Sequence, residues 1–133
     1  MSSWVQRYMS IFYLLFLGNV ARLVELSEST QIIYSTIRFV SPEELEWYLE
    51  DCLALAQEFP HLIAGFDLVG QEDTLVPLID YAEQLLRFVD RQKEVGVHVP
   101  FMFHAGETLG DGTRADLNLY DAILLGTKRI GHG

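Results

Sequence analysis

Hydrophobic and polar positions along the chain switch between two periods from residue 31 onward. The run Ile32-Ile33-Tyr34-Ser35-Thr36-Ile37 is short and rich in β-branched and aromatic side chains, which predicts a strand. Ser41-Pro42-Glu43-Glu44 then announces a helix, with Ser41 as N-cap, Pro42 at the first helical position and Glu44 closing a capping box. Leu45, Tyr48, Leu49, Cys52, Leu55, Ala56 and Phe59 recur at the spacing of one buried helical face, and Pro60 ends it. Leu62 to Val69 is almost continuously apolar, as expected of a strand covered on both sides. After a loop from Gly70 to Thr74, Leu78, Tyr81, Ala82, Leu85, Phe88 and Val89 repeat the helical stripe, and Gly96 stops it. Val99 to Phe103 predicts a third strand with Pro100 near its start. A Gly-rich loop from Thr108 to Thr113 leads to a third helix, with Leu117, Tyr120, Ile123 and Leu124 predicted to face inward and Gly126 as its stop. Lys128-Arg129-Ile130-Gly131 begins a fourth strand.

These strands end near Arg38, Leu68, His104 and His132, at intervals of 30, 36 and 28 residues. Strands alternating with helices at that period predict βαβ units and a parallel sheet, an α/β fold. Four such units fit half of a (β/α)₈ barrel of ~250 residues or most of a small open sheet. A Gly-x-Gly-x-x-Gly fingerprint and a Walker loop are both absent from the sequence, which leaves nucleotide-phosphate binding without support.

Composition changes this picture little. The 133 residues are 50% hydrophobic and 21% charged, as in a globular chain long enough for one core. A net charge of −10 argues against a nucleic-acid-binding surface, which needs clustered Lys and Arg. The single cysteine, Cys52, cannot close a disulfide within the chain and is expected in the core. Residues 1–30 form a separate apolar segment. Met9 to Leu17 has the length of a signal-peptide core and is too short to span a membrane; the alternative is an amphipathic helix running to Leu26.

In parallel α/β folds chemistry gathers at the C-terminal strand ends. Here three of them carry Asp67-Leu68-Val69-Gly70, His104-Ala105-Gly106-Glu107 and Gly131-His132-Gly133. An imidazole such as His104 at a strand end can bind zinc if other ligands converge on the same ion. A carboxyl three residues on, Glu107, is suited to proton transfer beside a metal without ligating it. His132, between two glycines, can approach a metal-activated water as base or electrostatic partner. His61 and His98 fall in loops and are read as structural or exposed. Asp67 inside an apolar strand needs a partner, and Arg38 on the neighbouring strand end is the expected one.

The stretches Gly65 to Asp73, Phe101 to Thr108 and Arg129 to Gly133 resemble consecutive motifs of the adenosine deaminase family, in order and spacing. Their wording is most similar to the adenosine deaminase-related growth factor subfamily. The resemblance covers residues 31–133, roughly the third to sixth units of the barrel. It implies a partial (β/α)₈ TIM barrel of the metal-dependent hydrolase type, and a zinc-dependent conversion of adenosine and water to inosine and ammonia. By resemblance His104 is a zinc ligand, Glu107 gives a proton to purine N1, His132 is the base for the attacking water, and the backbone of Gly70 contacts the purine. Also implied are a secreted, extracellular protein, with a cytoplasmic location open to a truncated chain, and a homodimer as the assembly open to the full-length protein.

The chain departs from the family pattern in three respects. The family's His-x-His pair of zinc ligands is absent, no Asp-Asp pair occurs, and Ile37 stands where animal members of the subfamily often carry a histidine. One ligand of four does not hold zinc in a catalytic geometry, so this chain alone is expected to be inactive. The remaining alternatives are a non-catalytic truncated isoform or interaction fragment, and an amidohydrolase acting on a different amino-purine.

Overall fold

A computed structural model describes residues 31–133. The predicted N-terminal segment, signal-like or helical, lies outside the described residues. Within them the order is β1 (Ile32–Ile37), α1 (Pro42–Glu58), β2 (Ile63–Val69), a 3-10 turn (Leu78–Tyr81) running into α2 (Ala82–Val95), β3 (His104–Ala105), α3 (Arg114–Leu124) and β4 (Gly131–His132).

β1 pairs with β2 and β3 with β4, both in parallel, and a parallel bridge from Phe66 to Phe101 joins the two pairs. Two backbone bonds flank that bridge, from Phe66 N to Pro100 O and from Met102 N to Phe66 O, each 2.9 Å. Strand order therefore follows chain order without reversal, and every described strand end points the same way. The third and fourth ladders sit a few residues later than the sequence pattern predicts. Phe103 N donates to the Thr127 hydroxyl at 3.1 Å instead of to a neighbouring strand, and regular pairing begins only at His104.

Local signals behave as expected at the helices. Ser41 Oγ accepts from Glu44 N at 3.2 Å while Ser41 N donates to the Glu44 carboxylate at 2.8 Å, the reciprocal capping box. Gly96 closes α2 in the left-handed conformation at φ 72°. β2 is the most enclosed strand, with Phe66 and Leu68 wholly buried. An aromatic file from Tyr34 through Phe66, Phe88 and Phe101 to Phe103 runs through the core, with successive ring centroids 4.7 to 6.0 Å apart.

One helix faces the opposite way from its prediction. In α3 the buried positions are Ala115, Asn118 and Ala122, whereas Leu117, Tyr120, Ile123 and Leu124 are exposed. The reason is specific bonding: Asn118 Oδ1 accepts from Leu78 N at 2.8 Å, and its Nδ2 donates to Glu72 Oε1 at 3.1 Å. Two alanines on the same face let the helix approach closely enough for both bonds.

Cys52 is wholly buried, and burial, reinforced by the Asp51 carboxylate, pushes its thiol up to about 12. The folded chain is therefore expected to resist alkylation at neutral pH and to react once denaturant is added. Rapid labelling of the folded chain would contradict this packing.

Candidate functional site

The short pairing of β3 with β4 brings the two histidine-bearing strand ends together. His104 is in register with Gly131, and Ala105 with His132. The imidazoles of His104 and His132 lie 5.7 Å apart, centroid to centroid, at 41°. Their approach depends on the absence of a side chain at Gly131, where a Cβ would stand 2.9 Å from the His104 ring. Gly106 turns the chain back at φ +86°, and a Cβ there would meet the Gly133 Cα at 2.8 Å. His132 itself is left-handed at φ 71°, a conformation costing a β-carbon-bearing residue roughly 1–2 kcal/mol.

His104 is held from behind. Its Nδ1 lies 2.5 Å from Asp67 Oδ2, and its backbone N donates to Asp67 Oδ1 at 2.9 Å. The Asp67 side chain is 3% exposed, so the carboxylate is fully committed to this residue. With Nδ1 facing a carboxylate, Nε2 is left as the imidazole's free donor atom, the arrangement of a carboxylate-oriented metal ligand. The expected Asp67–Arg38 partnership is thus replaced. Register explains it: Ser35 pairs with Asp67, so Arg38 lies one residue past the Ile37–Val69 pair, at the level of the loop bearing Glu72.

Arg38 and Glu72 form an ion pair at 3.3 Å, with both side chains fully buried. Arg38 also donates from Nε to Leu68 O at 3.0 Å and from Nη2 to His104 O. Burial lowers the Arg38 pKa, while the Glu72 and Asp67 carboxylates oppose that shift. Glu72 accepts from Arg38 and Asn118 on one oxygen and from Glu107 N, at 2.5 Å, on the other.

Glu107 and His132 face each other in the mouth, Oε2 to Nε2 at 3.5 Å, each side chain about half exposed at 52% and 50%. At that exposure the pair contributes through position more than through Coulomb energy. Gly70, at the end of β2, takes φ +117°, and a Cβ would lie 2.5 Å from Leu75 Cδ1. It packs against Ile37 and Leu75. His61 and His98 are exposed in loops. Among the described residues no group of three His, Cys, Asp or Glu side chains converges to hold a metal. No described helix is long and apolar enough to cross a membrane.

Sequence reasoning did not anticipate Glu72 and Asn118, nor Asp67 as the orienting partner of His104. The available signal was a carboxylate inside each of two otherwise apolar or tightly turned segments, where burial demands partners.

No family model matches the chain. Similar curated proteins include an adenosine deaminase from Aedes albopictus, 46% identical over 103 residues, or 77% of this chain. Adenosine deaminase 2 from Sus scrofa is 45% identical and that from Homo sapiens 44%, each over the same share of this chain. The chain spans only 18 to 19% of the length of these relatives. Identity of this level across three quarters of the chain shows that it belongs to the adenosine deaminase family, in its growth factor-related subfamily.

Proposed function

We propose that the chain carries part of the active site of a zinc-dependent adenosine aminohydrolase, built on a partial (β/α)₈ barrel. The observation that carries this reading is the convergence of an Asp67-oriented His104 with a facing Glu107 and His132 at two adjacent strand ends. Strand order without reversal supports the barrel over a doubly wound sheet, whose order reverses at its switch point.

The donor chemistry of His104 fits one zinc ligand, with Nε2 free and Nδ1 fixed. The other described residues do not complete the site. When bound, the ion would supply Lewis-acid activation of water. Within the reaction, Glu107 would give a proton to purine N1, and His132 would take one from the water that adds to C6. Passing that proton on to the 6-amino group would let ammonia leave as the C6–N bond breaks. Return of the remaining hydroxyl proton to Glu107 would give inosine and restore both residues. The backbone at Gly70 would contact the purine. Two proton-handling groups facing each other from adjacent strand ends suit that pair of transfers. Secretion, which the resemblance implies, belongs to the same proposal.

With one imidazole as its ligand, the 133-residue chain is expected to take up zinc weakly and to leave adenosine unchanged. A longer form holding these motifs in a complete barrel should bind zinc and convert adenosine to inosine. In that form Glu107→Gln should lower kcat about 10²–10⁴-fold with zinc content unchanged. A complete barrel that loaded zinc and left adenosine intact would overturn the proposal.

A second reading, a non-catalytic interaction segment, is favoured by one observation. Tyr120, Ile123 and Leu124 on α3 are 63%, 59% and 84% exposed, an apolar stripe suited to association. It requires the isolated chain to self-associate with concentration on size-exclusion chromatography, and a stable monomer at all concentrations would count against it.

A further inference from the structure

Glu107 can transfer a proton to one ring nitrogen only if the loop that carries it is held in place, yet its side chain is half exposed. Loop residues at a strand end are ordinarily the least protected part of a fold. Here the backbone on both sides of the turn is tied down. Arg38 Nη2 donates to His104 O at the start of the loop, and Glu72 Oε2 accepts from Glu107 N at its end, at 2.5 Å. The same guanidinium holds Leu68 O at the end of β2, and the same carboxylate holds Asn118 on α3.

We propose that Glu72, oriented by Arg38, is a positioning residue that fixes the backbone of Glu107 and so sets where its carboxyl is presented. Its two oxygens divide the work. Oε1 receives both Arg38 Nη1 and Asn118 Nδ2, which anchors the side chain to β1 and α3. Oε2 receives Glu107 N. Every contact to Glu72 is a donor, so an ionised carboxylate satisfies all of them and a carboxamide cannot. In Glu72→Gln the carbonyl oxygen is drawn to the side with two donors, and the NH₂ is left against the Glu107 N–H. The substitution therefore breaks the loop contact selectively and spares the anchor. A charge-assisted bond of this kind is stronger than a neutral one, so its loss should be visible at a single amide.

The meaning of this for proton transfer rests on the role of Glu107 proposed above, but its test needs neither zinc nor adenosine. Native-state amide exchange is measured on the 133-residue chain and on Glu72→Gln. The Glu107 amide is expected to exchange at least about tenfold faster in the variant, the size of effect that a lost hydrogen bond of ordinary net strength produces. The core amides of Phe66 and Met102, bonded between β2 and the β3 segment, should keep their rates. An unchanged Glu107 rate overturns the proposal. So does an equal acceleration of all three amides, which would make Glu72 a general stabiliser. If Glu72→Gln loses the fold, Glu72→Asp is read by the same criteria. It keeps the negative charge near Arg38 and withdraws it from Glu107 by one methylene. A positive exchange result together with an inactive complete barrel would sink the deaminase reading and leave the loop clamp standing.

Discussion

Replacing Arg38 by Met is expected to destabilise the chain by roughly 3–5 kcal/mol, the cost of leaving a buried charge without its partner. Glu72 is fully buried and loses the cation it is paired with, while the carbonyls of Leu68 and His104 each lose a donor. Against a total stability of about 5–15 kcal/mol for an ordinary domain, that is a large fraction. The measurement is a urea unfolding midpoint, and a variant unfolding at the parent concentration would show that the pair contributes nothing. The double variant Arg38→Met with Glu72→Leu should regain only part of the loss. It removes the orphaned charge but strands the Glu107 amide and the Asn118 carboxamide, both of which depend on Glu72.

The second large effect belongs to Phe66. Its ring is wholly buried within the aromatic file, 5.7 Å from Phe88 and 6.0 Å from Tyr34, and its backbone bridges β2 to the β3 segment. Phe66→Ala should cost about 3–5 kcal/mol, because the rings around it cannot collapse into the space without breaking their own contacts. Phe39→Ala is the matched control. Phe39 is 65% exposed, and its loss should change stability by less than about 0.5 kcal/mol. Equal unfolding midpoints for the two variants would mean that the core is not where the structure puts it.

What could be read from the sequence was whatever is decided locally. The capping box at Ser41, the stop at Gly96 and the two-sided burial of β2 each depend on a handful of adjacent residues, and each is found as expected. The strand-end placement of His104, Glu107 and His132 was legible for the same reason. What was not legible depends on residues far apart. The orientation of α3 is decided by Leu78 and Glu72, 40 and 46 residues before Asn118. The partner of Asp67 is decided by strand register, which seats Arg38 against Glu72 and His104 against Asp67. The start of the third ladder is decided by a threonine hydroxyl 24 residues downstream. Periodicity carries no information about any of these, because each is a single polar contact rather than a repeating one.

The setting of α3 has a consequence for how the fold tolerates change. Its apolar residues and its bonded carboxamide lie on roughly opposite sides of the cylinder, so the two demands on the helix conflict. Hydrophobicity alone would roll it by about half a revolution. Asn118 acts as an indexing pin against that roll, and because the pin seats in Glu72, the angular position of a peripheral helix is geared to the loop that carries Glu107. Frustration between the two orientations is thereby held at one side chain.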